Sequence, residues 1–424
     1  MSRILYSALL YLLVPGIIAR LLWRSLRSPA HAKRWSERFG FISSAAADQD
    51  IIWLHAVSVG EVVAAVPLVK ALQKQYSNQR ILMTCTTVTG SERIQAIFPD
   101  SVDHHYAPYD LPNSIGRFLE RSHPRLLIIM ETELWPNIIA ECKCRGIPVF
   151  LVNGRLSARS AKGYLRIGSL VRPMMRQIHR IAAQSKEDAN RFVQIGASAN
   201  SLSIVGNVKF DLTISPELES KAASLAASWR GLSNRPIVLA ASTHKGEDEI
   251  ILEAFAKIKK YHNRTLLVLV PRHPERFDQV ADLCKKSGFK ISRRSQGTMP
   301  STSDILIGDT MGELLTFFGA CDVAFVGGSL VPIGGHNIIE PAAWGKPIIS
   351  GPHLFNFSKA SELLLSKGGM LICANAEDLA SSCTKILDDD VFRKSMSLTA
   401  HCVAKDNRGA LTNIMSLIDS SISK

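Results

Sequence analysis

Apolar runs and amphipathic stretches alternate along most of the chain. The apolar runs have the length and continuity of strands that are buried on both faces of a parallel sheet. They occupy residues 51–57, 80–86, 125–130 and 147–152 in the first half, and residues 237–241, 265–270, 304–307, 323–326 and 347–350 in the second half. Helical periodicity follows several of them, as at residues 61–76 and 135–144. The alternation predicts an α/β protein with parallel sheets.

A stretch rich in Ser and Pro, residues 214–236, separates the two sets of runs. A chain of 424 residues also exceeds what one hydrophobic core usually supports. We therefore predict two doubly wound, Rossmann-like domains that face a cleft. The predicted boundaries are 1–30 for an N-terminal membrane anchor, 31–213 for the first domain, 214–236 for a linker and 237–424 for the second domain.

The N-terminal segment is apolar enough to interact with a membrane. Residues 4–23 contain a single charge, that of Arg20, and are long enough to cross a bilayer core or to lie along its surface. No small-residue cleavage site follows, so a cleaved signal peptide is disfavoured. Pro15 and Gly16 predict a kink, which leaves both a full span and a shallow anchor open. The basic residues that follow favour the cytoplasmic side and anionic lipids, and they are Arg24, Arg27, Lys33, Arg34 and Arg38.

Charge narrows the class of partner. The chain holds 50 Lys and Arg against 37 Asp and Glu, a formal net charge of +13. This excess favours nucleic acid, an acidic membrane surface or phosphorylated ligands. The basic stretches lack interleaved aromatic residues, so we predict no nucleic-acid partner. The eight cysteines show no spacing typical of a disulfide framework, which favours a reducing cytoplasm.

Charged residues follow several predicted strands of the first half. Glu61 opens a helix, where the helix dipole favours an ionised carboxylate that could serve as a general base. Ordinary pairing with the helix N-terminus explains Glu61 equally well on position alone. Glu131 and Glu133 directly follow a strand, and two carboxylates there are costly unless they are paired or exposed to a cleft. Lys209 stands just after a glycine turn.

The second half carries features typical of phosphate binding. Arg272 and His273 stand between prolines at the end of a predicted strand, which fixes a basic pair there. Residues 311–313 open a predicted helix whose free amides could receive an anion. Residues 326–347 combine clustered glycines, a helix predicted to begin near residue 336, and Glu340 one turn in, placed to bind a ribose diol. This stretch matches neither a Walker loop nor GxGxxG, yet it favours a nucleotide over glycines that only pack.

The chain closely resembles the 3-deoxy-D-manno-octulosonic acid (Kdo) transferases, a family of the GT-B class. The resemblance rests on the ordered motifs HAVSVGEV, ETELWPN, NGRLS, GNVKFD, PRHPERF and GGSLVPIGGHNIIEPAAWGKP, and it covers essentially the whole chain. It implies inverting transfer of Kdo from CMP-Kdo to lipid IVA, the lipid A precursor of lipopolysaccharide, at the cytoplasmic face of the inner membrane.

The same resemblance implies roles for particular residues. Glu61 matches the general base, while Glu131 and Lys209 match stabilisers of the transition state. The segments that bind the CMP of the donor match Pro271, Arg272, Met311, Gly312, Glu313, Asn337, Ile338, Ile339 and Glu340.

We expect no cofactor and no metal. Cationic side chains and helix N-termini can stabilise a departing CMP without a bridging metal. The Asp-x-Asp triplet at residues 388–390 falls at a predicted helix end and is more typical of a solvated cap than of a metal site. One alternative stays open on the residues alone: a GT-B enzyme that uses a UDP- or GDP-sugar on another membrane lipid.

Overall fold

A computed structural model describes residues 2–27, 34–44, 50–232, 234–297 and 302–422. The chain divides into two compact units. Unit 1 comprises Met1–Asp211 with Arg408–Lys424, and unit 2 comprises Leu212–Asn407. Each unit contains a seven-stranded sheet in which all pairings are parallel. The predicted α/β class with two doubly wound units is therefore confirmed.

The sheet of unit 1 has the strand order β3-β2-β1-β4-β5-β6-β7. Its strands are β1 (Ile51–His55), β2 (Arg80–Cys85), β3 (Asp103–Tyr106), β4 (Pro124–Met130), β5 (Val149–Gly154), β6 (Arg180–Ala183) and β7 (Leu202–Ile204). The direction of winding reverses between β1 and β4. Ligands of doubly wound sheets bind beyond the carboxyl ends of the strands at such a point.

Helices cover both faces of this sheet. They are α1 (Arg3–Arg27), α2 (Val59–Gln75), α3 (Val88–Ile97), α4 (Pro112–Ser122), α5 (Pro136–Cys144), α6 (Ala158–Arg166), α7 (Gly168–Met175) and α8 (Lys186–Gln194), joined by the C-terminal helix Ala410–Ile422. One core includes Phe118 of α4 and Ile138 of α5, and the core on the opposite face includes Leu68 of α2 and Ile414. The central strands are buried on both faces, which explains their continuous apolar sequence.

The sheet of unit 2 has the order β10-β11-β9-β8-β12-β13-β14, with its reversal between β8 and β12. Its strands are β8 (Ile237–Thr243), β9 (Leu266–Pro271), β10 (Ile291–Arg293), β11 (Ile305–Ile307), β12 (Val323–Val326), β13 (Ile348–Ser350) and β14 (Met370–Ile372). Its helices are α9 (Pro216–Arg230), α10 (Asp248–Tyr261), α11 (Phe277–Lys286), α12 (Leu314–Ala320), α13 (Ile339–Ala343), α14 (Ser358–Lys367), α15 (Ala376–Asp388) and α16 (Asp390–Asp406), and the C-terminal helix of unit 1 is α17.

The structure divides the chain differently from the predicted boundaries. Most of the predicted linker 214–236 is helix α9, which buries Trp229 against Phe317 of unit 2 with ring centroids 5.2 Å apart. The last helix, α17, was predicted in the second domain but belongs to unit 1. Asp211 accepts a hydrogen bond from the Leu411 amide at its start, and apolar side chains of α17 enter the core around α2. Neither correction follows from local composition, because both depend on packing between distant segments.

The N-terminal helix is continuous through Pro15, so the predicted kink does not interrupt it. Among the described residues one helix segment, Arg3–Trp23, is long and apolar enough to cross a membrane, with a mean hydropathy of 1.9. The segment that was predicted to be an anchor is therefore helical. Lys33 and the side chains of Arg24 and Arg27, which belong to the predicted basic flank, lie outside the described part of the chain.

Candidate active site

In unit 1, the reversal of the sheet brings the acidic motifs together. Glu61 lies in the first turn of α2, directly after β1, and Glu131 follows β4, the neighbour of β1. Lys209 lies in a short 3-10 helix, Val208–Asp211, that follows β7. The structure thus places the three residues expected to take part in catalysis at one edge of one sheet.

Glu61 is buried, with 8% of its surface exposed, and both of its carboxylate oxygens accept hydrogen bonds. Its Oε2 accepts a hydrogen bond from the Val57 amide at 2.8 Å, and its Oε1 accepts one from Ser58 Oγ at 2.9 Å. Ser58 in turn caps α2 by accepting from the Glu61 amide at 3.3 Å. This arrangement resembles a capping box, with the Val57 amide in place of the amide of the N-cap residue, so Glu61 does contribute to the helix N-terminus.

The capping role does not leave Glu61 an ordinary carboxylate. Burial raises the pKa of Glu61 to about 7, against the hydrogen bonds from Val57 and Ser58, and the negative charges of Glu133 and Glu131 raise it further. A pKa near neutrality is the value at which a carboxylate exchanges protons most effectively with a substrate hydroxyl. Glu61 therefore combines a fixed orientation with the acidity of a general base.

Glu131 and Lys209 form an ion pair in which Nζ lies 3.3 Å from Oε1. Both side chains are about one-quarter exposed, at 26% and 27%. Glu131 adopts a left-handed backbone conformation with φ of 54°, which is uncommon outside glycine and costs free energy. Its amide nevertheless keeps a sheet-like hydrogen bond to the Val152 carbonyl at 2.9 Å. The backbone is thus bent where β4 ends. The ion pair with Lys209 offsets the cost of placing a carboxylate at the end of a buried strand.

Glu133 is the second acid of this motif and is half-buried. Burial raises its pKa, against a hydrogen bond of 2.9 Å from Trp135 Nε1, and the charge of Glu131 raises it further. The Trp135 ring packs edge-on against His55 at the end of β1, with centroids 4.9 Å apart. His55 is fully buried, and its Nε2 has no hydrogen-bond partner in the structure. The strand end below Glu133 is therefore a closely packed aromatic layer.

In unit 2, a fully buried carboxylate organises the glycine-rich loop. The Oε1 atom of Glu247 accepts hydrogen bonds from the amides of Ser329 and Leu330, each at 2.9 Å. Its Oε2 accepts from the amides of Gly328 at 2.7 Å and His244 at 2.9 Å. Glu247 thus ties the loop after β12 to the loop after β8 at the reversal of the second sheet. A buried carboxylate is stable when several amides donate to it.

Three imidazoles lie together beside these loops. His244 Nε2 lies 2.8 Å from His336 Nε2, and the two rings stack with centroids 5.0 Å apart. The His273 ring meets His244 edge-on at 5.2 Å. Burial lowers the pKa of His336 to about 4, and the neighbouring Arg272 charge lowers it further. His336 is therefore neutral at pH 7, and the exposed guanidinium of Arg272 carries a positive charge beside it.

The expected CMP-binding segments lie beyond the ends of β9, β11 and β12. Pro271 ends β9, and the Arg272 amide donates to the Thr243 carbonyl of β8 at 3.0 Å. Asn337 Nδ2 donates to Glu340 Oε1 at 2.9 Å, and burial raises the pKa of Glu340. Ile338 and Ile339 are buried behind this pair, so their contribution toward a ligand is limited to backbone groups.

Two helices begin later than predicted. Met311 and Gly312 precede α12, which begins at Leu314 with Glu313 at its N-cap. The Arg294 guanidinium binds the Glu313 carboxylate in a bidentate manner. Nη2 donates to Oε1 at 2.7 Å, and Nε donates to Oε2 at 3.1 Å. This pairing lowers the pKa of Glu313. Likewise α13 begins at Ile339, so that Glu340 lies at its second residue, because the glycine turn before it extends the loop.

The glycines of this loop pack against the protein itself. A Cβ atom on Gly327 would lie 2.8 Å from the Ser242 carbonyl oxygen, and one on Gly328 would lie 2.8 Å from the His336 ring. Gly334 has φ of 106°, and a Cβ there would lie 2.4 Å from Phe355. Close internal packing therefore explains these glycines by itself, so the glycines alone do not indicate a nucleotide and that prediction stays untested by them.

The Asp-x-Asp triplet behaves as expected. Asp388 ends α15, and Asp389 caps α16 by accepting from the Phe392 amide at 2.8 Å. Within the described residues, no group of three or more His, Cys, Asp or Glu side chains is arranged to hold a metal ion.

Comparison with known proteins assigns the chain to a family. A family model described as 3-deoxy-D-manno-octulosonic-acid transferase (kdotransferase) matches residues 33–212. A 3-deoxy-D-manno-octulosonic acid transferase from Haemophilus influenzae is 44% identical over 422 residues, which cover 99% of this chain and 98% of that protein. The chain belongs to the Kdo transferase family. A further member, from Bordetella pertussis, is 35% identical over 87% of this chain and 86% of its own length.

Solved structures of low identity share the fold of this Kdo transferase. A glycosyltransferase from Rickettsia africae is 16% identical, with a TM-score of 0.58 over 88% of this chain and 98% of that one. A putative UDP-N-acetylglucosamine 2-epimerase from Listeria monocytogenes is 12% identical, with a TM-score of 0.58 over 89% and 97%. At these identities they show the fold alone, and the predicted GT-B class is confirmed.

Sequence reasoning missed two features of this Kdo transferase. Glu247 stands four residues after β8 at the N-cap of a helix, and Glu61 stands six residues after β1 in the first turn of a helix, so a glutamate at a strand-to-helix junction was a usable signal. The histidine cluster was missed because its members are far apart in sequence. His244 and His336 are separated by 92 positions, and only the parallel sheet brings their loops together.

Proposed function

We propose that the protein transfers Kdo from CMP-Kdo to lipid IVA, with inversion at the anomeric carbon, in lipopolysaccharide biosynthesis. One observation carries this proposal: a chain 44% identical to a Kdo transferase over its full length holds a buried carboxylate with a pKa of about 7 at the reversal of its first sheet. Membership of the family disfavours the alternative of a UDP- or GDP-sugar donor.

Glu61 acts as the general base in this proposal. An inverting transfer requires removal of a proton from the acceptor hydroxyl as the new glycosidic bond forms. The hydrogen bonds from Val57 and Ser58 fix the Glu61 carboxylate, and each oxygen retains a lone pair for the substrate proton. The proton passes from the hydroxyl to Glu61 while the sugar carbon loses its bond to the phosphate oxygen of CMP.

Glu131 and Lys209 stabilise the transition state. Glycosyl transfer develops positive charge on the sugar ring and negative charge on the departing phosphate. The carboxylate of Glu131 suits the first charge and the ammonium of Lys209 suits the second. Their ion pair at 3.3 Å holds both groups in place before the substrate arrives.

Residues of unit 2 bind the CMP of the donor. The Arg272 guanidinium is exposed beside the cluster of three histidines, and it binds the phosphate of the donor. The Glu340 carboxyl, oriented by Asn337, binds the ribose hydroxyls. Pro271, Met311, Gly312, Glu313, Ile338 and Ile339 line the same site through main-chain and apolar contacts. Because the phosphate meets cations and amides, no metal and no other cofactor is required.

The acceptor lipid places the reaction at the cytoplasmic face of the inner membrane. Lipid IVA keeps its acyl chains in the bilayer, so the enzyme must work at a membrane surface. The apolar helix α1 provides contact with lipid, and the net charge of +13 favours anionic inner-membrane lipids.

The test is incubation of the purified full-length protein with CMP-Kdo and lipid IVA, with mass spectrometry of the lipid. We expect the lipid to gain the mass of one or more Kdo residues and free CMP to appear. CMP should also raise the melting temperature of the protein, and UDP should not. Stabilisation by UDP alone, together with an unmodified lipid, would favour the alternative donor.

A further inference from the structure

Residues in the first half of the N-terminal helix contact the rest of unit 1. Arg3 pairs with Glu141 of α5 at 3.5 Å, near the beginning of the helix. Tyr6 OH donates to Asp110 Oδ2 at 2.9 Å. Farther along, the Asn113 amide donates to Tyr11 OH at 3.4 Å.

The second half of α1 borders a cavity of about 500 Å³ on the same unit. The helix contributes Ile17, Arg20 and Leu21, and unit 1 contributes residues that include Arg38, Glu92 and Tyr106. Contacts and cavity together run from residue 3 to residue 21, a distance of about 27 Å along a helix at 1.5 Å per residue.

The exposure of the α1 side chains distinguishes an inner face, toward unit 1, from an outer face. Half-buried residues form one helical stripe with spacings of three and four: Tyr6, Ser7, Leu10, Val14, Ile17, Ile18 and Leu21. Large apolar side chains are exposed on the remaining surface, and they include Ile4 at 81%, Leu12 at 77%, Leu5, Leu9, Leu13, Leu22 and Trp23. The helix thus has one face toward the protein and an opposite face of exposed apolar side chains.

A helix docked in this way does not fit a transmembrane orientation. The hydrocarbon core of a bilayer is about 30 Å thick, which is close to the length of about 27 Å over which α1 lies beside the rest of unit 1. If α1 crossed that core, the surface of unit 1 beside it would have to enter the hydrocarbon as well. That surface carries Glu141, Asp110, Glu92 and Arg38, which are costly to transfer from water.

We propose that α1 lies in the plane of the membrane interface, with its inner stripe on unit 1 and its exposed apolar face in the lipid. This inference rests on the proposed action at a membrane and specifies its orientation. The occupant of the apolar face is a bilayer with anionic lipids. Arg20 and Arg38 border the cavity, and Arg38 is positioned there by a hydrogen bond of 2.9 Å to the Thr86 carbonyl and by the Tyr106 ring beneath it. The positive charge of both side chains favours anionic headgroups.

The contacts of α1 also connect it to the loop that carries Glu131 and Glu133. The Asp110 carboxylate that accepts from Tyr6 also accepts from the amides of Asn137 and Ile138, at 3.1 and 2.8 Å. These amides are the free N-terminal donors of α5, which directly follows the segment of Glu131 and Glu133. An in-plane α1 therefore holds this loop at a fixed height above the lipid.

The orientation can be tested by labelling a cysteine at position 2. Inverted inner-membrane vesicles from cells that produce full-length Ser2→Cys protein are treated with a membrane-impermeant maleimide, and labelled peptides are identified by mass spectrometry. The native Cys144, exposed on α5, reports the side of unit 1. We expect Cys144 and the introduced cysteine to be labelled to similar extents in sealed vesicles. Labelling at position 2 only after detergent would show a spanning helix and overturn the inference.

A matched pair of substitutions provides a second test. Leu12→Lys changes the exposed face, and Val14→Lys changes the inner stripe two residues away. With phosphatidylethanolamine and phosphatidylglycerol vesicles, we expect Leu12→Lys to weaken co-sedimentation roughly tenfold and Val14→Lys to change it less than twofold. Equal losses would contradict an in-plane helix.

Transfer of Kdo to lipid IVA is measured separately on the same preparations. A spanning helix with intact transfer would overturn the orientation but not the proposed function. Absence of the unsubstituted protein from the membrane fraction would overturn both the orientation and the proposed membrane location, whereas loss of transfer with the predicted labelling would contradict the function alone.

Discussion

The two sheets have the same doubly wound architecture, yet their ligand-binding edges differ in chemistry. The edge of unit 1 gathers Glu61, Glu131 and Glu133, and Glu131 is paired with Lys209. The edge of unit 2 gathers three imidazoles and Arg272, while its buried acid, Glu247, is fully engaged by backbone amides. One edge is therefore suited to accept a proton, and the other is suited to receive an anion.

The comparison separates what the fold fixes from what the side chains fix. In each unit the reversal of strand order opens a site at the carboxyl ends, and a glutamate before or in the next helix orders the nearest loop. In unit 1 this glutamate, Glu61, keeps lone pairs for a substrate and has a raised pKa. In unit 2 the equivalent glutamate is fully buried and serves the loop instead. Glutamates at similar strand-to-helix junctions therefore differ in burial and pairing, and only Glu61 keeps the features that the proposed function requires of a base.

The largest expected effect is that of Glu61→Gln. Glutamine preserves the size of the side chain and an acceptor for the Val57 amide, but it cannot take a proton. We expect turnover of CMP-Kdo with lipid IVA to fall by roughly 10²-fold or more, with CMP affinity by calorimetry within about twofold of normal.

The matched control is Glu120→Gln, an exposed glutamate of α4 whose contact is a surface ion pair with Arg145. It should leave turnover unchanged. Normal turnover in Glu61→Gln would mean that Glu61 serves only as a helix cap and that the acidic edge has no base at this position.

A smaller effect is expected at the cationic edge from Arg272→Ala. Loss of the exposed guanidinium should weaken CMP binding by roughly 10- to 100-fold, measured by calorimetry, because charge-assisted bonds to phosphate are lost. Arg264→Ala, an exposed arginine of the loop before β9, is the control and should bind CMP normally. Unchanged CMP binding in Arg272→Ala would contradict the assignment of the anion site to this edge.

The sequence predicted the central, buried strands well and the outermost strands of each sheet poorly. Strands such as β1, β4 and β8 are buried on both faces, so their sequences are continuously apolar. β3 has the sequence DHHY and β10 has ISR, and such short, partly polar strands give no local signal because their pairing is decided by their neighbours. The positions of helices α9 and α17 also depend on packing against segments far away in sequence.

The acidic edge was easier to predict than the cationic edge. Glu61, Glu131 and Lys209 each stand next to a strand end, so topology alone brings them to one side of the sheet. The roles of Glu247 and of the pair His244 and His336 could not be predicted, because burial and hydrogen bonding across 80 to 90 positions define them. The pKa of Glu61 likewise depends on burial and on Glu133, which no spacing reveals.

The coupling within the acidic edge predicts a pH effect. Glu61 is active as a base only when ionised, so turnover should fall as the pH drops through about 7, by roughly tenfold per unit below that value. Because the charge of Glu133 raises the pKa of Glu61, Glu133→Gln should lower that pKa and move the midpoint of the pH–rate profile to lower pH. Glu253→Gln, an exposed glutamate of unit 2, should leave the midpoint in place. An unshifted midpoint in Glu133→Gln would show that the two carboxyls are not coupled.

The smallest expected effect concerns metal, and it distinguishes the two edges most directly. In the proposed function the phosphate of the donor meets Arg272 and backbone amides at the cationic edge, and these groups would supply positive charge without a divalent ion. At the acidic edge the Glu131 carboxylate is already paired with Lys209. We therefore expect less than a twofold change in turnover after treatment with EDTA and removal of the chelator, and no further gain on addition of Mg²⁺. Abolished turnover that Mg²⁺ restores would contradict this. It would instead make Glu131 and Glu133 metal ligands, and the acidic edge rather than the cationic edge would then receive the phosphate.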